Sequence, residues 1–166
     1  MSEPDFSRVR ALLFDVDGVM TDGRVLASET GQLLRSLDVR DGYALKVALR
    51  ADLRVAIVTG GVSEGVRRRF AELGVADYYS GVEDKLPTVA AYLRRHGVPA
   101  SEAVYMGDDL PDLPPMRHVG VGCAPADACA EALAVADYVT AREGGRACVR
   151  EVVERVLRAR ASWPAA

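Results

Sequence analysis

The sequence predicts an α/β fold in which a doubly wound, mostly parallel sheet carries helices on both faces. Three observations predict it. Short apolar runs alternate with helical stretches of about a dozen residues. Glycine-rich turns separate these segments, and a chain of 166 residues that is 49% hydrophobic and 27% charged has the composition of a soluble globular protein. Strand–helix–strand connections produce parallel strand pairs, which predicts the parallel sheet. A chain of this length corresponds to about one domain, so we expect a single domain over residues 1–166.

The strands are predicted from short apolar runs bounded by turn residues. They are expected at 9–14, 54–58, 78–80, 103–106, 119–122 and 138–139. A different pattern spans 24–37, where apolar residues flank a polar segment that contains Gly31. This pattern predicts a β-hairpin that protrudes from the sheet, with the glycine at its turn.

The helices are predicted from apolar spacing together with capping residues and terminal glycines. Ser63 is placed to cap a helix that Gly74 ends, and Asp84 to cap one that Gly97 ends. Prolines break up a short helix after Asp109. The remaining helices are expected to open at Asp41-Gly42 and to cover 126–134 and 145–161.

Composition excludes several classes of function. The formal net charge is -3 and the arginines form no basic stripe, so we expect no nucleic-acid partner. None of the three cysteines forms a CxxC pair, which favours reduced thiols. No apolar run approaches the roughly 20 residues of a membrane helix, and residues 1–9 lack the apolar core of a signal peptide. We therefore expect a cytoplasmic protein with no membrane partner.

Three polar residues lie at the ends of predicted strands. Asp15 and Thr59 each come directly after an apolar strand and before a turn that contains glycine, and Asp108 follows its strand after Gly107. Ligands of parallel α/β sheets bind at the carboxyl ends of the strands. The fold is therefore expected to bring these residues together at one edge of the sheet, although they are far apart in the chain.

Carboxylates dominate this expected site. Asp15 and Asp17 flank a single apolar residue, and Asp108, Asp109 and Asp112 form a second group. Neighbouring carboxylates raise each other's pKa, and a hard divalent cation relieves that repulsion. Mg²⁺ is typically held by one or two carboxylates together with substrate phosphate, which fits Asp15 with Asp108. For Asp109 and Asp112, simple capping of the short helix is an equally good interpretation.

A phosphate-binding role is predicted for two further residues. Lys85 begins a helix; an isolated surface lysine is usually only solvated, but at this edge it would neutralise a phosphate. Thr59 and the backbone N–H groups that follow it would bind the same phosphate oxygens. Together these parts describe phosphoryl transfer through an aspartyl-phosphate, with a second acid that protonates the leaving oxygen and later activates water.

The order of these elements resembles the haloacid dehalogenase superfamily of phosphatases. The matching elements are Asp15-x-Asp17-Gly18-Val19-x-Thr21-Asp22-Gly23, Thr59-Gly60, Lys85, and Gly107-Asp108-Asp109 with Asp112. The resemblance implies a Rossmann-like sheet and a Mg²⁺ cofactor. It also implies that Asp15 is the nucleophile and a metal ligand, that Asp17 is the general acid/base and binds metal through its carbonyl, and that Asp108 is a metal ligand. The residues implied to bind the phosphoryl group are Thr59, Gly60 and Lys85, and those implied to support the metal site and orient the lysine are Asp109 and Asp112.

A narrower resemblance covers nearly the whole chain. It is similar to the 3-deoxy-D-manno-octulosonate 8-phosphate phosphatases, which lack a large cap domain and serve lipopolysaccharide synthesis. Members are typically homotetramers in which hairpins associate and a neighbour helps to close each site. The sequence itself supports the missing cap, because only about 17 residues separate Gly23 from Asp41 and about 23 separate Gly61 from Lys85.

Two alternatives and one departure accompany this interpretation. The resemblance implies a small sugar-acid phosphate as substrate, most simply the eight-carbon ester, but nine-carbon ulosonic acid 9-phosphates fit the same branch, and the fold also occurs as a non-catalytic oligomerisation module. Where the family commonly has a basic residue after Thr-Gly, this chain has Gly61. We consider Arg67, Arg40 and Arg146 as replacements for that basic residue.

Overall fold

The computed structural model describes residues 4–164. The strands are β1 (Ala11–Phe14), β2 (Leu26–Ala27), β3 (Leu33–Leu34), β4 (Arg54–Val58), β5 (Asp77–Tyr79), β6 (Ala103–Met106), β7 (Val121–Ala124) and β8 (Tyr138–Val139). The helices are α1 (Val39–Arg50), α2 (Glu64–Glu72), α3 (Lys85–Arg95), α4 (Leu113–His118), α5 (Ala130–Val135) and α6 (Cys148–Ala159). Single 3₁₀ turns lie at Ala100–Glu102 and Leu110–Asp112.

Six strands form one parallel sheet in the order β5-β4-β1-β6-β7-β8. The chain therefore winds outward from β1 in both directions, and the predicted doubly wound, Rossmann-like fold is confirmed. The register places Phe14, the last residue of β1, opposite Ile57 of β4 and Met106 of β6. Because these three strands end at the same level, the residues that follow them start from one edge of the sheet.

Side chains of β1 alternate between two cores, one on each face of the sheet. Leu12 and Phe14 pack with residues of α1, α2 and α6, whereas Ala11 and Leu13 pack with residues of α3, α4 and α5. All four are fully buried. This explains why the strand is apolar throughout rather than alternating, since a parallel strand covered by helices on both sides has no solvent-facing side.

The predicted hairpin is confirmed. In β2 and β3, Leu26 pairs with Leu34 and Ala27 with Leu33 in antiparallel register. Gly31 lies in the turn with a φ of +78°, a conformation that favours glycine. Within residues 4–164, this hairpin is all that lies between β1 and α1, and α2 is the one helix between β4 and β5, so neither interval contains a cap domain. In the same part of the chain, every helix is too short or too polar to cross a bilayer.

Several element boundaries differ from the sequence prediction. Helix α1 begins two residues before Asp41, because the side chain of Asp38 caps it by accepting from the Arg40 N–H. Strand β7 begins at 121 rather than 119. Helix α5 begins at 130 rather than 126, because the N–H of Cys129 is bonded to the carbonyl of Asp108 at 2.9 Å, which keeps the preceding residues in a loop.

The start of α6 shows how a tertiary contact limits a helix. The helix begins at 148 rather than at the predicted Gly145. A Cβ at Gly144 would lie 2.0 Å from the carbonyl oxygen of Gly18, and Gly145 has a φ of +66°. These two glycines thus let the segment before α6 pass directly against the loop that follows β1. The positive φ of Gly145 is incompatible with a right-handed helix at that residue.

Candidate active site

The carboxyl ends of β1, β4 and β6 open into one pocket of about 380 Å³. The residues predicted from sequence for this site all line it: Asp15, Asp17, Thr59, Gly60, Lys85, Asp108, Asp109 and Asp112. Backbone hydrogen bonds continue the sheet into the pocket wall, since the Asp15 N–H donates to the Met106 carbonyl at 3.0 Å. The sheet therefore places these side chains together, as expected for parallel strands of equal height.

Lys85 lies at the bottom of the pocket between two carboxylates. Its Nζ is 3.0 Å from Oδ1 of Asp15 and 2.7 Å from Oδ1 of Asp112. The residue is only 4% exposed, so the bland interpretation of a solvated surface lysine is wrong. Burial disfavours the ammonium, but the charges of the two carboxylates outweigh it, and the pKa of Lys85 is raised above its ordinary value. The lysine is therefore a fixed positive charge.

Asp112 organises the loop that carries Asp108. Its Oδ1 accepts hydrogen bonds from Lys85 and from the Tyr105 hydroxyl, the latter at 2.7 Å, and its Oδ2 accepts from the Asp108 N–H at 3.1 Å. A Cβ at Gly107 would lie 2.2 Å from the Cβ of Asp112, so glycine is required for this close packing. Tyr105 was not predicted from the sequence, where it is one apolar residue of a strand.

The capping interpretation of the second acidic group also holds. Asp109 and Asp112 form a capping box at the 3₁₀ turn, and the carboxylate of Asp109 accepts from the Leu110 N–H at 2.8 Å. Asp112 combines capping with its contact to Lys85, whereas Asp109 lies at the pocket wall. The two interpretations of Asp112 are therefore compatible.

Three carboxylates beyond the ends of β1 and β6 are close enough together to hold one cation. Carboxylate oxygens of Asp15, Asp108 and Asp112 lie within 4.8 Å of one another. Burial, and then the charge of Asp112, raises the pKa of Asp15 to about 7, and burial with the charges of Asp112 and Asp15 does the same for Asp108. Mg²⁺ prefers oxygen ligands, and its positive charge would relieve the repulsion between these carboxylates.

Gly18 shapes the same cation-binding region. Its φ is +87°, and a Cβ there would lie 2.0 Å from Oδ2 of Asp108. Within residues 4–164, the Asp108 carboxylate makes no hydrogen bond or ion pair with the protein, in contrast to that of Asp112. Both oxygens of Asp112 already accept hydrogen bonds, whereas Lys85 contacts Oδ1 of Asp15, so Asp15 and Asp108 have more oxygen lone pairs left for a cation.

Thr59 also lines the pocket. It is 2% exposed, and its hydroxyl oxygen accepts from the Gly61 N–H at 3.1 Å. A threonine hydroxyl has one hydrogen to donate in addition to its lone pairs. The hydroxyl can therefore donate to an anion in the pocket, where the backbone of Gly60 also lies.

Asp17 is held by an arginine that the sequence interpretation missed. Arg35, just after β3, donates from Nε to Oδ1 of Asp17 at 2.6 Å and from Nη2 to Oδ2 at 2.9 Å. The hydrogen bond to Asp17 raises the pKa of the guanidinium. Nothing in the local sequence signals this pair, because its partners are on different elements and the arginine lies on a hairpin that looks like a solvent-exposed insertion.

The space beside Gly61 accounts for the departure from the family pattern. A Cβ at Gly61 would lie 3.0 Å from Oδ2 of Asp17 and 3.1 Å from Nη2 of Arg35. Two of the arginines considered as replacements make other pairs, because Arg40 binds Asp38 and Arg67 binds Glu64. The third, Arg146, is likewise absent from the pocket wall. A basic group is thus present next to Gly61, but it comes from the hairpin.

Comparisons with known proteins agree with this geometry. Residues 74–145 match a family model described as haloacid dehalogenase-like hydrolase. The chain is 41% identical over 149 residues to the 3-deoxy-D-manno-octulosonate 8-phosphate phosphatase of Escherichia coli (strain K12), covering 90% of this chain and 79% of that protein.

Solved structures extend the likeness to the whole fold. The phosphatase of the same name from Yersinia pestis superposes with a TM-score of 0.93 at 38% identity, covering 95% of this chain and 85% of that one. The enzyme of this name from Moraxella catarrhalis, in complex with a magnesium ion, a phosphate ion and KDO, has a TM-score of 0.92 at 34% identity, covering 95% of this chain and 90% of that one.

Proposed function

This chain belongs to the haloacid dehalogenase-like phosphatases, and we propose that it hydrolyses 3-deoxy-D-manno-octulosonate 8-phosphate, with Mg²⁺, through an aspartyl-phosphate on Asp15. The observation that carries the proposal is the meeting of Asp15, Lys85 and Asp108 at the bottom of one pocket. The 41% identity to a phosphatase of that name supports the choice of substrate. With this substrate, the protein would act in lipopolysaccharide synthesis, in the cytoplasm.

The metal site uses the acidic groups that the strands bring together. The carboxylates of Asp15 and Asp108 would hold Mg²⁺, with the main-chain carbonyl of Asp17 as the further protein ligand. Mg²⁺ supplies positive charge that offsets the negative charge of these groups and of the transferring phosphoryl group. Asp112 supports the site by holding Lys85 and the Asp108 loop, with Asp109 capping the turn beside it.

The chemical steps follow from which group is nucleophile, acid and anchor. The phosphoryl oxygens are bound by Lys85, by the Thr59 hydroxyl and by the backbone at Gly60. The carboxylate of Asp15 attacks phosphorus, and the bond to the sugar oxygen breaks as Asp17 gives that oxygen a proton. In the second half, Asp17 takes a proton from water, the resulting hydroxide attacks phosphorus, and the bond to Asp15 breaks.

The open rim supports assembly into a homotetramer. Four apolar hairpin residues are about half exposed or more: Val25, Leu26, Leu33 and Leu34. A groove lies between the hairpin and α2, and Leu33 and Leu34 line it together with Val62, which is 76% exposed. Apolar surface next to a small-molecule pocket is typical of an interface. In our proposal, hairpins of neighbouring copies associate, and each closes the other's site against water.

Phosphate release from a substrate panel tests the proposed activity. The panel contains the eight-carbon acid 8-phosphate, a nine-carbon ulosonic acid 9-phosphate and neutral sugar phosphates, each with Mg²⁺ and with a chelator. We expect the eight-carbon ester to have the highest kcat/KM, by about tenfold or more, and chelation to abolish release. A preference for the nine-carbon ester reassigns the substrate, and Mg²⁺ binding without turnover of any ester favours the non-catalytic module.

A further inference from the structure

Arg35 connects the pocket with the hairpin. Its side chain is only 8% exposed, and it forms a two-pronged ion pair with Asp17, whose own side chain is 38% exposed. It also lines the groove between the hairpin and α2, together with Leu34 and Arg69. Arg35 therefore lines the groove and, through its ion pair, contacts Asp17, which lines the pocket.

The guanidinium has unused binding capacity. An arginine offers five N–H donors in a planar fork. In the described part of the chain, two are used by Asp17, and a third reaches the Leu33 carbonyl at a long 3.4 Å. The Asp17 carboxylate that it now holds has the same shape and charge as the carboxylate of a sugar acid, and a guanidinium fork binds such groups in two-pronged fashion.

We propose that Arg35 binds the carboxylate of the sugar-acid substrate and, in doing so, exchanges Asp17 for that carboxylate. This inference rests on the proposed function, and it names the residue that selects acids over neutral sugars. Once Arg35 turns to the substrate, the oxygens of Asp17 become available to the leaving oxygen of the phosphoester. A neutral sugar phosphate has no carboxylate to take the place of Asp17 on the guanidinium, so Asp17 stays engaged with Arg35 and turnover is slow.

Gly61 is the structural condition for this exchange. A Cβ at that position would lie 3.1 Å from Arg35 and 3.0 Å from Asp17, closer than ordinary van der Waals contact, so one of these side chains would have to shift. Without one, the guanidinium has room beside the Thr59 turn. The hairpin arginine thereby takes the place of the basic residue that the family commonly carries after Thr-Gly.

Kinetics with two substrates test the assignment. The variants are Arg35→Gln, Arg35→Lys and the matched control Arg158→Gln, which removes an arginine paired with Glu154 on α6. For the eight-carbon sugar acid ester we expect Arg35→Gln to lower kcat/KM by roughly 10- to 100-fold, mainly through KM. For a neutral pentose 5-phosphate, kcat/KM is expected to stay the same or to rise, because the variant releases Asp17 without needing a substrate carboxylate. Lysine restores part of the loss because it keeps the charge without the fork, and the control matches the wild type.

Binding of the free sugar acid separates this inference from the proposed activity. Calorimetry with 3-deoxy-D-manno-octulosonate, which needs no turnover, is expected to show about tenfold weaker binding to Arg35→Gln than to the wild type and to the control. If the wild type hydrolyses neither ester yet shows this difference, the proposed function fails and the carboxylate site stands. Equal binding by both proteins, or equal loss of activity on both esters, overturns the site, since the arginine then acts only by holding Asp17.

Discussion

The bottom of the pocket and its rim, which is the hairpin of β2 and β3, are built in opposite ways. Asp15, Lys85 and Asp112 are at most 6% exposed and are held by the central strands and α3. In the hairpin, Leu26 is 67% and Leu33 is 52% exposed, on strands of two residues each. The groups to which we assign the chemistry are thus fixed by the core, whereas those proposed to select and enclose the substrate lie on an element that cannot bury its own apolar side chains.

The two regions also contain different ion pairs. At the bottom, Lys85 is buried with two carboxylates, and removing one partner of a buried pair leaves an uncompensated charge. At the rim, Arg35 pairs with the partly exposed Asp17, where solvent and a competing anion have access. The buried arrangement around Lys85 is suited to keeping its positive charge in one place. The Arg35–Asp17 pair is suited to exchanging Asp17 for another anion.

The largest effect is expected at the bottom of the pocket, from Asp15→Asn. The amide keeps the shape but is not a nucleophile, so phosphate release should fall by about 10³-fold or more. The fold should persist, because the substitution removes a buried charge while Lys85 keeps Asp112. Steady-state kinetics with circular dichroism as the folding control measure both. Activity within tenfold of the wild type would show that another group attacks phosphorus.

Gly18→Ala and Gly31→Ala compare the two regions at matched positions. Both glycines have positive φ, +87° and +78°, but a Cβ at Gly18 would lie 2.0 Å from the Asp108 carboxylate, whereas at Gly31 nothing lies within 4 Å. We expect Gly18→Ala to weaken Mg²⁺ binding and activity by about 100-fold, and Gly31→Ala to cost only about 1–2 kcal/mol of backbone strain. Mg²⁺ titration and thermal unfolding distinguish these effects; equal Mg²⁺ affinities would contradict the proposed role of Asp108.

The stability of the metal-free protein should fall as pH rises. Burial raises the pKa of Asp15, Asp108 and Asp41 to about 7, well above the ordinary 3.8. A carboxyl group whose folded-state pKa is raised binds its proton more tightly when folded, so the stability it contributes is present below about pH 4 and is lost as pH rises through about 7. We expect the Tm to be several degrees lower at pH 8 than at pH 5.

Added Mg²⁺ provides the control for that measurement. At pH 8 the cation should recover the part of the lost Tm that comes from Asp15 and Asp108, since it binds the folded protein. It should not recover the part that comes from Asp41, which instead caps α6 by accepting from the Arg150 N–H at 2.7 Å. A Tm that rises between pH 5 and 8 without metal would contradict the electrostatic description of the pocket.

The smallest effect on the fold itself is expected at the rim. Leu26→Asp replaces an exposed side chain, so the stability of the isolated subunit should change by no more than about 0.5 kcal/mol, while the proposed homotetramer should dissociate. Val139→Asp, which changes another exposed apolar residue on β8, is the matched control and should leave the assembly intact. Native mass spectrometry gives the result. A tetramer that survives Leu26→Asp would remove the hairpin from the interface.

Local sequence signals predicted the sheet and the residues at its edge. Asp15, Thr59 and Asp108 were placed correctly at strand ends because apolar runs and glycine turns determine where each strand stops, and parallel strands share one carboxyl edge. The hairpin likewise followed from its own turn chemistry. These features depend on residues that are neighbours in the chain, which is why they can be read without the fold.

Only the tertiary structure decided which distant side chains meet. The burial of Lys85 between two aspartates, the pair between Arg35 and Asp17, and the packing that stops α6 short of Gly145 all join segments that no local pattern connects. An arginine on a hairpin has the same local preferences whether it faces solvent or a carboxylate. Its role is therefore determined by the way the hairpin returns to the sheet, which is a property of the packed molecule.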